Sequence, residues 1–289
     1  MTGSRHCLRR AAPLLIAALL AACGKSSAEL TAKYSRDIES LRQAGMARAD
    51  SAPADAPWGP EDLARNFARV VHAQDHRRFD EQPLQKWRQP ARYRFLYGDA
   101  GPSDEERRHM ADLARRLSAA TGLSVREADE DAGEEANLNI LFLDYEEREA
   151  VLAPLTPEER DNLVYALIAE THGNDNNLCM FQVAYDVDDP ETWTSYGVTV
   201  IRSELPRDWR MSCLDEEVTQ MFGPQYDHDA VRPSMFNDDE EFLYLTDHDE
   251  AMLRLIYDPR LRSGMTRAQT TPIVRRILAE GGFGPAPGS

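Results

Sequence analysis

Basic residues are scarce in this chain: 33 Lys and Arg stand against 50 Asp and Glu, for a net charge of −17. That balance disfavours a nucleic-acid binder, whose affinity comes from neutralising phosphates with Lys and Arg. It also argues against a body lying flat on an anionic bilayer. Long apolar runs are missing as well. The most apolar stretch, residues 11–22, is broken by Pro13 and falls short of the roughly 20 residues that a membrane-spanning helix needs. No later segment is long and apolar enough to cross a membrane. A Gly-rich phosphate loop, a Gly-x-Ser-x-Gly elbow and an internal repeat are all absent. Cysteine is rare, with four in all.

What stands at the N-terminus is a processing segment. Arg5, Arg9 and Arg10 form a positive n-region, and residues 11–22 form the apolar h-region. It ends in Leu20-Ala21-Ala22-Cys23, which resembles the lipobox of bacterial lipoproteins. That resemblance implies cleavage before Cys23, a diacylglycerol on its thiol and acylation of the new amino group. The alternative is an ordinary signal peptide with a chance cysteine at the cleavage site. Several acyl chains, at about 0.8 kcal/mol per buried methylene, anchor far more firmly than one. Gly24 in place of Asp implies sorting to the outer membrane, so the expected partner is the membrane, reached through Cys23 from the periplasmic side. Losing residues 1–22 removes three Arg and no acid, which takes the net charge from −17 to −20.

Cys7 leaves with the signal, so Cys179 and Cys213 remain as an even pair in an oxidising compartment. A disulfide between them is the expectation, with two free buried thiols as the alternative. Residues 23–58 read as a lipidated N-terminus and flexible tether, with a polar helix over 29–48 and a Pro- and Ala-rich linker over 51–57. Residues 59–289 then suit one domain.

Periodicity and caps give the elements. Residues 61–78 read as a helix with Leu63, Phe67, Val70 and Val71 inward. Ser103-Asp-Glu-Glu106 is a capping box opening a helix that Gly122 closes. Strands are expected over 91–97, 123–126 and 138–143, and an adjacent pair over 179–185 and 193–201. Further helices are expected after Thr156, over 206–222 and 246–257, and from Pro272 to 280. Helix and strand mixed, then helix and loop, make this an α+β domain.

The informative stretch is residues 213–227. On a helical wheel Met211, Leu214, Val218 and Met221 form an apolar stripe, while Cys213, Glu216, Glu217 and Gln220 share the neighbouring one. Glu216-Glu217-x-x-Gln220-x-x-Gly223 has the spacing of the zinc metallopeptidase helix His-Glu-x-x-His-x-x-Gly, with both histidines replaced. Ser234-Met235-Phe236 stands where that superfamily has its methionine turn. The chain also resembles the bacterial family known as domain of unknown function 2927, through Glu216 to Gly223, Ser234 to Asp238, Ile256 to Arg260 and Gly264-Met265. These resemblances imply a zincin-like fold: a mixed sheet with helices, then a helical C-terminal subdomain.

A catalytic zinc needs three protein ligands and an open position for water. Glu217 matches the glutamate that would take a proton from that water. Glu216 and Gln220 offer oxygen where the histidines would be, and the third ligand falls near Tyr226 or Asp227. Oxygen ligands suit Mg or Ca better than Zn, and one amide with distant carboxylates binds weakly. The expectation is therefore no metal and no cofactor, with the helix kept as scaffold. This makes the chain a binding or structural module for a peptide or envelope protein. Its rival is an envelope hydrolase using Glu217 as acid/base with Glu216 or Asp227 as partner, with or without an oxygen-ligated metal.

Other candidates read as bland. His72 and His76 project opposite the apolar face of their helix, toward solvent. His172, His228 and His248 lie in or near loops without ligand spacing. Cys213 has no local base that would make it a nucleophile. The acidic loop 129–135 lacks the spacing of an EF-hand and reads as a solvated charge run.

Overall fold

The chain enters its fold through a packed helix. The structure is a computed structural model that describes residues 25–72, 81–98, 101–186, 193–237 and 239–284. The expected signal segment, Cys23, His76 and Asp238 lie outside them. Helix α1 spans Ser27–Gln43, and the Ser26 side chain caps it by accepting from the Glu29 N–H. Leu30, Tyr34 and Ile38 recur every four residues, so they share one face, and all three are buried in the main core. The Tyr34 hydroxyl donates to the Asp175 carbonyl at 3.0 Å, and Lys25 pairs with Asp175 at 2.6 Å. Further on, the Asp247 N–H donates to the Ser51 carbonyl, and Trp58 Nε1 donates to Asp247. The flexible tether expected over 23–58 is therefore corrected across its described part. Three apolar residues in a polar helix suffice to dock it, because each is fully removed from water.

Helix α2 (Pro60–Val71) begins with Pro60 at its first position and buries Leu63, Phe67, Val70 and Val71. Strand β1 (Ala91–Tyr97) leads to α3 (Asp104–Thr121), whose Ser103/Glu106 capping box and left-handed Gly122 stop match the sequence. Strands β2 (Val125–Glu127) and β3 (Leu138–Leu143) follow, then α4 (Tyr145–Leu152), α5 (Pro157–Arg160) and α6 (Leu163–Gly173). Helix α4 went unread in the sequence, although Asp144 and Glu147 form a capping box at its start. Strands β4 (Cys179–Asp186) and β5 (Trp193–Arg202) pair antiparallel. The chain closes with α7 (Arg207–Gln220), α8 (Asp247–Ile256) and α9 (Arg267–Ala279). Helix α9 starts five residues before Pro272 and carries it inside.

The five strands form one mixed sheet in the order β2-β1-β3-β5-β4. β2, β1, β3 and β5 run parallel, and β4 is the antiparallel edge strand. Strand β3 is buried along its whole length, as a parallel strand covered on both faces should be. After β5 the described chain is helix and loop, so the expectation of a mixed sheet followed by a helical part is met. No helix of the described residues is long and apolar enough to cross a membrane.

Candidate functional site

Helix α7 brings the motif residues together, and it does so from the middle of the molecule. Leu214, Val218 and Met221 are fully buried, as the stripe predicts, while Met211 is only half-buried. Yet Asp215, Glu217, Thr219 and Gln220 are buried as well, so the helix is covered nearly all round. One side faces β4. There Cys213 is joined to Cys179 at the start of the edge strand by a disulfide, with Cα atoms 6.0 Å apart. The opposite side carries Asp215, which accepts from His109 at 2.6 Å and from the Leu245 N–H at 3.2 Å. A cavity of about 700 Å³ opens on that far side, lined in part by His109, Met211, Tyr244 and Glu250. None of Glu216, Glu217, Gln220 and Asp227 lines it.

Glu217 is 6 % exposed. Burial pushes its carboxyl well above the usual carboxylate range, and the nearby Asp227 and Glu240 charges push the same way. One group opposes them: the Phe181 N–H of β4, which donates to the Glu217 carboxyl. The edge strand therefore spends a backbone donor on this side chain. Gln220 is also buried, and its Nε2 donates to Asp227 Oδ1 at 2.6 Å. Asp227 is exposed, one step beyond Tyr226, whose N–H donates to the Val70 carbonyl. Glu216 is half-buried. Its carboxylate, that of Glu217 and the Cys179 sulfur lie within 4.8 Å of one another.

The rest of the motif has structural work. Gly223 adopts a φ of +138°, and a Cβ there would come within 2.9 Å of Ile256 Cγ2. Glycine thus lets the chain turn off α7 flush against α8. Asp249 fixes the Ser-Met-Phe turn: it accepts from Ser234 Oγ at 2.6 Å, the Met235 N–H at 3.1 Å and the Thr246 N–H at 2.9 Å. Its only trace in the sequence is the capping pattern from Thr246 to Asp249. Tyr257 accepts from the Trp87 N–H and lies beneath Lys86 Nζ, which donates to the Ile256 and Leu261 carbonyls. Gly264 and Met265 exchange backbone hydrogen bonds with Leu84. This part of the motif clamps residues 84–87.

The histidines divide. His72 was expected to face solvent; it is buried, with Nδ1 against the Gln82 carbonyl and Nε2 against Thr270 Oγ1. The reason is local: α2 stops at Val71 and His72 leaves the helix with a φ of −120°, so the helical wheel no longer places it. Burial lowers its affinity for a proton. His248 is buried against Asn66 and Trp58, His172 stacks on Tyr145, and His228 is exposed as expected. In the acidic loop Glu134 is held by Arg126, which draws its carboxyl down to about 2.

The chain is a mixed α/β domain, in which the antiparallel edge strand of a five-stranded sheet is cross-linked to a helix bearing Glu-Glu-x-x-Gln-x-x-Gly. Residues 60–276 match the family model described as "Protein of unknown function (DUF2927)", and the chain belongs to that family. No curated protein and no solved structure matches the chain.

Proposed function

We propose that this chain is a lipoprotein, anchored through Cys23 in the outer membrane and facing the periplasm, whose domain is a zincin-like module that binds rather than cleaves. The observation that carries the reading is the use to which the motif side chains are put. Gln220 is bonded to Asp227, and the carboxyl of Glu217 is buried, favours its neutral form and takes a backbone donor from β4. A general base must be ionised and within reach of the proton it takes. Supporting the zincin-like frame are the mixed sheet, its antiparallel edge strand beside the motif helix, and the Ser-Met-Phe turn packed under α8. The ligand class is an extended peptide or envelope protein laid along β4, where main-chain hydrogen bonds supply affinity.

The hydrolase reading keeps one observation in its favour. A Glu217 carboxyl whose proton affinity is raised by burial, next to the Asp227 charge, is the kind of pair that divides acid and base roles. One experiment separates the two. A photo-crosslinking residue in place of the exposed Gln182 on β4 is introduced into the full chain in cells. The expected result is a cross-link to an envelope polypeptide that survives Glu217→Gln. Turnover of a peptide substrate that Glu217→Gln abolishes would reverse the assignment.

A further inference from the structure

The disulfide and the two motif glutamates form a group that neither the proposed binding role nor the family match accounts for. Cys213, Glu216 and Glu217 sit at i, i+3 and i+4 on α7, hence on one face. That face meets Cys179 of β4. The donor atoms of Cys179, Glu216 and Glu217 already lie within 4.8 Å of one another, and Cys213 Sγ is covalently bonded to the first of them. Ligand atoms around a tetrahedral zinc, bonded at about 2.0–2.3 Å, stand roughly 3.6 Å apart. Cys179, Glu216 and Glu217 need only close up to reach that spacing, and Cys213 Sγ, freed from its bond to Cys179, would supply the fourth position. As a disulfide, the two sulfurs carry no thiolate and are poor ligands.

We propose that this is a redox-gated site for a thiolate-binding divalent cation such as zinc, with Cys179, Cys213, Glu216 and Glu217 as its four ligands. Opening it takes a dithiol reductant: the protein disulfide gains two electrons and two protons, and the dithiol gives them up and closes into its own intramolecular disulfide. Metal binding then releases the two thiol protons and any proton on Glu217. Two thiolates and two carboxylates around a dication leave a net charge of −2, the same as a four-cysteine zinc site. Thiolates favour zinc over magnesium or calcium, which the carboxylates alone would not. Cys179 and Glu216 are only half-buried, so the ion has an approach from the surface, while Cys213 and Glu217 form the buried wall. The site differs from the one the helix spacing implies, since Gln220 and Asp227 take no part. It does not depend on the binding role proposed above.

The test uses the full chain with Cys7→Ser and Cys23→Ser, so that Cys179 and Cys213 are the only thiols. Oxidised protein, and protein reduced by a phosphine that is then removed anaerobically, are loaded with cobalt(II) and desalted. The reduced form should retain stoichiometric cobalt with a thiolate-to-cobalt charge-transfer band and the intense visible bands of four-coordination. The oxidised form should show neither, and reoxidation should release the ion. Cys179→Ser should abolish the charge-transfer band. Glu216→Gln with Glu217→Gln should lose the metal while keeping the native circular dichroism when oxidised. Equal cobalt in oxidised and reduced protein would overturn the proposal, as would a charge-transfer band that survives the double glutamine variant. If reduction unfolds the chain, cobalt must restore the native spectrum, and failure to do so also overturns it.

Discussion

Gln220 donates its side-chain amide to Asp227 across 2.6 Å, tying the buried end of α7 to the exposed chain beyond it. The bond crosses the Gly223 turn, so it fixes where residues 224–227 leave the helix. An amide is well suited to this, because it donates without needing a charge.

If the frame is zincin-like, Glu216→His with Gln220→His places two imidazoles one helical turn apart and frees Asp227 beside the second. The double variant should then gain stoichiometric zinc over the parent, both oxidised, as read by elemental analysis after desalting. No gain in a natively folded variant counts against the zincin-like frame and leaves the family membership untouched.

Glu217 makes stability depend on pH in an unusual direction for a carboxyl. Its folded affinity for the proton is raised by burial and by Asp227, so the folded state holds a proton that the unfolded chain gives up near the ordinary value of 4.5. Its favourable contribution is complete below that value and fades as pH rises through the folded value. Glu217→Gln mimics the neutral acid and removes the dependence. The stability of the variant relative to the parent, from urea unfolding, should therefore climb steadily as pH rises above 4.5. A flat or falling difference would show that the buried carboxyl is ionised.

Leu30→Ala removes a fully packed side chain from α1 and should cost about 2–5 kcal/mol. An exposed position on the same helix, such as Glu39→Ala, should cost within about 0.5 kcal/mol. Urea unfolding of the two variants side by side decides whether the N-terminal helix belongs to the cooperative unit. Equal, negligible effects would restore the tether.

Local chemistry was the legible part. The Ser103/Glu106 box, the Gly122 stop, the alternation of β1 and the pairing of Cys179 with Cys213 all depend on neighbours in sequence or on a count of two. What escaped depends on partners far along the chain. Asp215 carries no signal of its own in the sequence, and only the fold brings His109 and the Leu245 N–H onto it. His72 reads as solvent-facing within a helix expected over 61–78, but the helix ends at Val71, one residue before it, and Thr270 receives it. The burial of Glu217 could not be read either. A wheel places it on the polar stripe, and the packing that takes that position out of water, with Phe181 of β4 against its carboxyl, comes from elsewhere in the chain.

The docking of α1 also sets a distance. Under the proposed anchoring, four residue steps separate the lipidated Cys23 from Ser27, the first residue of the packed helix. Fully extended, those steps reach about 14 Å, less than twice the roughly 8 Å over which salt screens a charge at physiological strength. The domain would therefore ride close against the bilayer rather than swing on a leash, with the Ser27 end of α1 always lowermost. Its acidic surface would stay within electrostatic earshot of the lipid headgroups, and repulsion would orient it, turning one fixed side of the molecule toward whatever approaches from the periplasm.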